Sequence, residues 1–505
     1  MNNSQKYTNS IDAIAECLSL GASEFVISTG ARNAEIIYSI LSTKNLDYYS
    51  HPDERSASFF ALGRCISSNK PVVMLTTSGT AVAELYPACI EAYYQSRPLI
   101  LLTADRPIEY QGSGAPQSIN QINIFGEYAE TTPSKWNKDK PLHINVHLEE
   151  PDLNSLELQK LTGICKSEEA PIITSEEISS NNIQLENFLD TDDSINIIVG
   201  TLSPELRTPV LNFIKRSNIQ AYAESVSGLR ERINSLYPSE ISANRILRIG
   251  GIPSCRYWRD LENKTDVQVL SVTPNKLPGL SRRSKVITKV NWDCIQLKKT
   301  YKVKPHSDEA SRMDKLLEKY PNSEPSFIRK ISNLIPKDSL VFLGNSLPIR
   351  QWQIAATHTD KNLSFFANRG ANGIDGNIST FLGLSKDYNS SWGIFGDLTT
   401  IYDLNSPWFL NYLENSQTNI VVINNGGGKI FEHVKSLEGT PEFIMNTIKN
   451  SHNVNFFHWS KMWNLNYILI ENINDEINST SPNNIVEIRP NEDQTKDFWR
   501  EFLNQ

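Results

Sequence analysis

Between about residues 10 and 165 the chain alternates short apolar runs with longer segments of helical spacing, which predicts an open parallel sheet covered by helices. Glu24–Ser28, Pro71–Thr77 and Pro98–Thr103 read as strands, and Arg55–Ser67 and Thr80–Gln95 place apolar residues at helical intervals. From Ser167 to Asp193 the chain is rich in Glu, Ser and Asn, and reads as a linker with peripheral structure. A second unit follows, with strands at Ile195–Gly200, Ile246–Gly250 and Val267–Val272 and a helix at Glu205–Arg216. After a charged, Pro-containing stretch from Lys302 to Glu324, a third unit opens near Ser326, with strands at Leu340–Leu343, Trp392–Phe395 and Ile420–Ile423. The pattern predicts three α/β domains, 1–180, 181–320 and 321–505, without a short-period repeat.

At 505 residues the chain has room for several domains, and 39% hydrophobic against 21% charged residues is a globular composition. The formal charge of -8 opposes general attraction to nucleic acid or anionic membrane, leaving small molecules as the expected partners. No run approaches the roughly 18 apolar residues of a spanning helix, and MNNSQKYTNS has no apolar signal core, so a soluble cytoplasmic protein is expected. Six cysteines, Cys17, Cys65, Cys89, Cys165, Cys255 and Cys294, form no CxxC pair and read as buried reduced thiols. Eight histidines show no ligand spacing, so any metal is expected on oxygen ligands.

Chemistry concentrates where strands end. Gly396-Asp397 closes one strand and Asn424-Asn425-Gly426-Gly427-Gly428 the next, so parallel pairing would make Asp397 and Asn425 neighbours at one sheet edge. A carboxylate, an amide oxygen and a backbone carbonyl suit magnesium bridging a diphosphate, and glycines let phosphates approach the backbone. Taken singly, these motifs read equally well as an Asn/Gly turn beside a capping Asp. Glu54, in His51-Pro52-Asp53-Glu54-Arg55, stands at a helix start, where an acid alone reads as a dipole partner. The turns Ser28–Asn33 and Thr77–Ala81 aim N–H groups at any arriving anion. Arg32, Arg106, Arg256, Arg350 and Arg369 sit in such turns; each alone reads as a surface ion pair, together as a polycarboxylate pocket.

These segments, STGARN (Ser28–Asn33), HPDERSASFFALG (His51–Gly63), TSGTAVAELY (Thr77–Tyr86), LTADRP (Leu102–Pro107), SGLR (Ser227–Arg230), GNSLPIR (Gly344–Arg350), NRGANGIDG (Asn368–Gly376), GDLTTIYDL (Gly396–Leu404) and NNGGGKIF (Asn424–Phe431), resemble in order the 2-succinyl-5-enolpyruvyl-6-hydroxy-3-cyclohexene-1-carboxylate synthase (MenD) family. The resemblance spans nearly the whole chain. It implies a thiamine-diphosphate-dependent transferase of pyruvate decarboxylase-like architecture, with a pyrimidine-binding domain, a central domain without cofactor and a diphosphate-binding domain. It further implies that 2-oxoglutarate is decarboxylated and its succinyl unit added to isochorismate in menaquinone biosynthesis, by a homodimer or a tetramer built from dimers.

The resemblance places Glu54 on the cofactor pyrimidine, where a carboxylate on the ring nitrogen favours the imino tautomer. Ser78, Gly79, Gly396, Leu398, Gly428, Ile430 and Phe431 would line the cofactor, and Asp397, Asn425 and Gly427 would hold Mg2+ or Mn2+. Arg32, Arg106, Arg256, Arg350 and Arg369, with Gln117 and Ser346, would meet substrates or intermediates. For Ile430 and Phe431, plain core packing is an equally good account. The chain departs from the family at Ala31, usually Ser, at Pro116, usually Asn, and at Cys255, usually Lys. These departures leave open a related carboligase with another acceptor; a catalytically silent homologue would have no need of the intact cofactor residues.

Overall fold

Apolar residues occupy consecutive strand positions rather than alternating ones, which is what a sheet covered on both faces requires. The computed structural model describes residues 9–152, 175–279, 281, 283–299, 301, 308–413, 416–478 and 481–503. Within them lie three all-parallel sheets. The first is formed by β1 (Glu24–Ile27), β2 (Asp47–Ser50), β3 (Val72–Thr76), β4 (Leu99–Asp105) and β5 (Leu142–His147), in the order β2-β1-β3-β4-β5. All seven residues of β4 are buried, the polar Thr103 and Asp105 at its end included.

The second sheet holds β6 (Ile195–Val199), β7 (Ala221–Ala223), β8 (Arg245–Ile249), β9 (Gln268–Val272) and β10 (Lys285–Ile287), in the order β10-β9-β8-β6-β7. The third holds β11 (Leu340–Leu343), β12 (Ser364–Phe366), β13 (Ser390–Gly396), β14 (Gln417–Ile423), β15 (Asn466–Ile470) and β16 (Asn483–Ile488), in the order β12-β11-β13-β14-β16-β15. Each sheet starts in the middle, adds its second strand on one side and its third on the other. The strand order therefore reverses between the first and third strands of every sheet, and the loops leaving those strands diverge there to form a crevice. At the central sheet the crevice is shut: a Cβ on Gly200 would stand 2.3 Å from the Gly251 carbonyl, so the loops after β6 and β8 are in backbone contact.

By internal packing the chain forms two compact units that interleave in sequence. One comprises the described residues of Met1–Ile172, Gly370–Tyr388 and Tyr402–Ser416; the other those of Ile173–Arg369, Asn389–Ile401 and Gln417–Gln505. In the first unit, the helix Asn377–Ser385 is buried at every position and packs on the helix Glu54–Ser68.

Several expectations change. The stretch read as linker contains a 15-residue helix, Ser175–Leu189, whose Leu185 and Leu189 enter the core of the central sheet; residue 180 lies inside it, and 167–174 lie outside the described residues. Its low apolar content hid it, because only a narrow stripe is buried. The charged stretch from Lys302 likewise contains the helix Glu309–Lys319, which buries Met313, Leu316 and Leu317. The single helix expected over Thr80–Gln95 is two, Thr80–Glu84 and Tyr86–Tyr94, with Pro87 in the first turn of the second. Cys17, Cys65, Cys89 and Cys255 are buried free thiols, Cys294 is exposed, and Cys165 lies outside the described residues.

Candidate active site

In the first unit the loops at the strand-order reversal open on a cavity of about 520 Å3 lined by Thr29, Gly30, Asp53, Glu54, Thr77 and Gln117. Glu54 begins the helix Glu54–Ser68, whose N-cap Asp53 accepts from Ser56 N at 2.9 Å. The turn is braced by Asn405, which donates to Asp53 and accepts from Ser56 Oγ at 2.8 Å, and by the buried Asp403, 3.5 Å from Arg55. Burial raises the Glu54 pKa, and the charges of Asp53 and Glu84 add to the rise. A carboxyl group shifted this way approaches the range in which proton exchange near neutral pH is effective. Ser78 is buried beside Gly79, whose N–H donates to Gln121 Oε1 at 3.0 Å.

Arg32 and Arg106 converge on one carboxylate. Arg32 Nη2 lies 2.5 Å and Arg106 Nη1 3.9 Å from Glu150 Oε1, and Arg106 Nε donates to the Pro116 carbonyl at 2.7 Å. Arg32 is only 7% exposed whereas Glu150 is 77% exposed, so the acid is the expendable member and an incoming carboxylate can replace it.

In the second unit the corresponding reversal lies between β11 and β13. Asp397 follows β13, and its Oδ2 accepts from Gly426 N and Gly427 N, both at 2.9 Å, while Oδ1 accepts from Leu398 N at 2.6 Å. Burial pulls the Asp397 pKa upward against the Gly427 N–H and the charge of His452, whose Nε2 is 3.3 Å away. The loop after β14 can press this close because Gly427 has φ 131°, and a Cβ there would stand 2.7 Å from the Lys449 carbonyl. A Cβ on Gly396 would meet nothing, so that backbone is open to a ligand.

Asn425 turns its Nδ2 to Glu324, and its Oδ1 is buried without a hydrogen-bond partner among the described residues. An unpaired buried amide oxygen on a loop that is hydrogen-bonded to a carboxylate is a donor set able to hold a hard divalent cation. Gly428, Ile430 and Phe431 continue the loop; Phe431 is 36% exposed, which rules out plain core packing for it.

Ser346, after β11, has φ 75° and ψ -128°, a backbone conformation that a residue with a Cβ holds only under constraint, as at ligand sites. Arg350 Nη1 donates to the Ser346 carbonyl at 2.5 Å. Arg369 Nη1 donates to Asn345 Oδ1 at 3.0 Å, and its Nε is buried without a partner among the described residues. The Arg350 guanidinium has accessible surface, yet desolvation by the surrounding protein, then the charge of Arg369, lowers its pKa, and Glu224 opposes them. Two cations within reach of one another point to a site for anions. Arg256 does not join them: it is 74% exposed and 3.8 Å from Asp260, and it is Arg259 whose charge reaches Arg350. Cys255 is buried with its thiol pushed up to about 12, so it brings no charge.

Several polar groups here escaped the sequence reading. Glu84 lines the cavity with Glu54; Gln121 holds Gly79; Glu224 accepts from Ser254 N at 2.6 Å; Glu324 holds Asn425; His452 faces Asp397. Only Glu84 carried a signal, as the last residue of the short helix that follows Thr77–Gly79.

Residues 8–124 match the family model described as thiamine pyrophosphate enzyme, N-terminal TPP binding domain. The 2-succinyl-5-enolpyruvyl-6-hydroxy-3-cyclohexene-1-carboxylate synthase of Bdellovibrio bacteriovorus is 38% identical, with 97% of each chain covered. The chain belongs to this synthase family. The synthase of the same name from Akkermansia muciniphila is 34% identical, covering 100% of this chain and 99% of its own, and one from Lysinibacillus sphaericus is 28% identical over 91% and 90%. Among solved structures, a thiamine diphosphate-dependent 4-hydroxybenzoylformate decarboxylase of Rhodococcus jostii RHA1 superposes with a TM-score of 0.71 at 11% identity, covering 96% of this chain and 100% of that one. Benzoylformate decarboxylase from Polynucleobacter necessarius gives 0.70 at 12% identity, over 96% and 98%. The synthase family thus shares the three-sheet fold of these decarboxylases. Among the described residues no helix is long and apolar enough to cross a membrane.

Proposed function

We propose that this chain is a thiamine-diphosphate-dependent transferase that decarboxylates 2-oxoglutarate and adds the succinyl fragment to isochorismate, giving 2-succinyl-5-enolpyruvyl-6-hydroxy-3-cyclohexene-1-carboxylate for menaquinone biosynthesis. Membership of the synthase family supports the reaction, and the observation that carries it to this chain is the buried, unpaired Asn425 Oδ1 on the loop whose Gly426 and Gly427 N–H groups bind Asp397. Asp397, Asn425 and the Gly427 carbonyl would hold Mg2+ or Mn2+; that carbonyl accepts from Lys429 N at 2.8 Å and keeps a second lone pair. Bound thiamine diphosphate supplies the electron sink that breaking one carbon–carbon bond and making the next require.

The protein's own groups orient and charge the site. Glu54 of one subunit would hydrogen-bond to the pyrimidine ring nitrogen, in a cavity that Ser78 and Gly79 adjoin. The open backbone at Gly396, with Leu398 and Gly428, of another subunit would receive the diphosphate end. Arg32 and Arg106, already gripping a carboxylate, and Arg350 with Arg369, one with an unpaired Nε, suit the carboxylates of the two substrates. Gln117 and Ser346 complete the proposed set, and Arg256, exposed beside Asp260, is outside it. Residues 1–180, 181–320 and 321–505 would act as pyrimidine-binding, central and diphosphate-binding domains of a cytoplasmic homodimer or dimer-of-dimers. Light scattering that returned a single-chain mass would overturn the assembly.

The reaction itself is tested by mass spectrometry after incubating the protein with thiamine diphosphate, magnesium and 2-oxoglutarate, with and without isochorismate. A succinyl adduct that appears only with isochorismate is the expected result; carbon dioxide release without it would assign another acceptor. Arg369→Met is expected to lower kcat/KM for 2-oxoglutarate roughly 10- to 150-fold, the equivalent of losing a charged hydrogen bond of about 1.5 to 3 kcal/mol. Steady-state kinetics unchanged by that substitution would take the carboxylate site elsewhere.

The pH profile offers an independent check on Glu54. The Glu84 charge raises the Glu54 pKa, so Glu84→Gln lowers it, and the Glu54 limb of the kcat/KM profile moves to lower pH. A limb that moved to higher pH or stayed in place would belong to another group.

A further inference from the structure

Asn425 has two chemically different ends, and only one of them serves a metal. The amide can rotate end over end at little cost in shape, so something has to select the orientation in which Oδ1, and not the NH2, faces the site beside Asp397. Its Nδ2 donates to the two carboxylate oxygens of Glu324, at 3.3 and 3.2 Å. Glu324 is the first residue of the helix Glu324–Leu334, 2% exposed, and its own N–H donates to Thr495 Oγ1 at 3.1 Å, which fixes where the carboxylate starts. An ionised carboxylate can only accept hydrogen bonds, so opposite ionised Glu324 the end of Asn425 that faces it is the donor end. Oδ1 is then forced to the opposite side, where it is buried with no partner among the described residues.

From this geometry we infer that Glu324 is a positioning residue for the metal: it locks the Asn425 amide with its oxygen turned toward the cation. The inference rests on the reading of Asp397 and Asn425 as metal ligands. The dipole alone does not account for a buried carboxylate here, because an acid in the first turn of a helix gains from it equally well in solvent and burial costs desolvation; the Asn425 amide, with Gln351 and the charge of Lys429, offsets that cost. Outer partners of metal ligands typically change metal affinity 10- to 100-fold when removed.

The test is the affinity of the full-length protein for Mn2+ in the presence of thiamine diphosphate, read by electron paramagnetic resonance and so independent of turnover. Glu324→Leu is expected to weaken Mn2+ binding about 10- to 100-fold, whereas Glu324→Gln, which keeps an oxygen for Asn425 Nδ2 to reach, stays within about threefold. Asn425→Asp sets two carboxylates against each other and is expected to lose at least about tenfold. The double exchange Glu324→Gln with Asn425→Asp restores a donor–acceptor pair with the polarity reversed, and is expected to recover most of that loss. Parental affinity in Glu324→Leu would overturn the inference, as would a double variant no better than Asn425→Asp; the double variant decides alone should the Leu protein not fold. A parent protein that binds no Mn2+ with thiamine diphosphate would overturn the metal reading itself, a different result from a parent that binds and a Glu324→Leu variant that binds equally well.

Discussion

Glu54→Gln is expected to lower turnover by about 100- to 10,000-fold while leaving the fold intact, the span that positioned acid–base groups typically contribute. The substitution keeps size and hydrogen-bonding reach and removes only the titratable proton. The local structure does not need that proton: the N-cap of the helix is Asp53, and the bracing contacts from Asn405 and Asp403 go to Asp53, Ser56 and Arg55. Burial has already made the ionised form of Glu54 costly, so the neutral amide should fold at least as well. Near-parental turnover in the variant, with circular dichroism unchanged, would remove Glu54 from the proton-handling role and leave it as a helix-start acid.

The second large effect belongs to Asp397. Asp397→Ala is expected to weaken thiamine diphosphate binding about 100-fold or more at a fixed magnesium concentration, exceeding the 10- to 100-fold typical of outer-shell partners because a ligand itself is lost. Raising magnesium should recover only part of the affinity. The carboxylate also ties down the glycine loop through the N–H groups of Gly426 and Gly427, and extra cation cannot replace those bonds. Calorimetric titration of thiamine diphosphate across a magnesium series separates the outcomes. Parental affinity would exclude Asp397 as a ligand, and full recovery at high magnesium would leave the loop contacts without influence on the cofactor.

Much of the fold was legible because fully buried parallel strands advertise themselves as continuous apolar runs: Leu340–Leu343 was read to the residue, and β4 within two. The helices Ser175–Leu189 and Glu309–Lys319 were not, since a helix on the outside of a sheet buries only a stripe, and their Glu, Ser, Asn and Lys content resembles that of a loop. Short edge elements such as β7 and β10, three residues each, are set by pairing with a neighbour, which no local pattern records.

The site divides along the same line. Asp397, Asn425 and the glycines, Glu54, and the arginine-bearing turns were readable because each sits where a strand ends, and that boundary is encoded locally by apolar residues giving way to Gly, Asn and Asp. By itself the sequence determined the three α/β units, the family, and which residue types stand at the strand ends. Tertiary structure alone decided which partner each of those residues meets. It brought Glu324 from about one hundred positions earlier to face Asn425, set His452 beside Asp397 and Glu84 opposite Glu54, and left Arg256 in solvent while Arg259 reached Arg350. Hydrogen bonds and charge effects act over a few ångströms in space and carry no preferred spacing along the chain, so only the packing of one sheet edge can specify them.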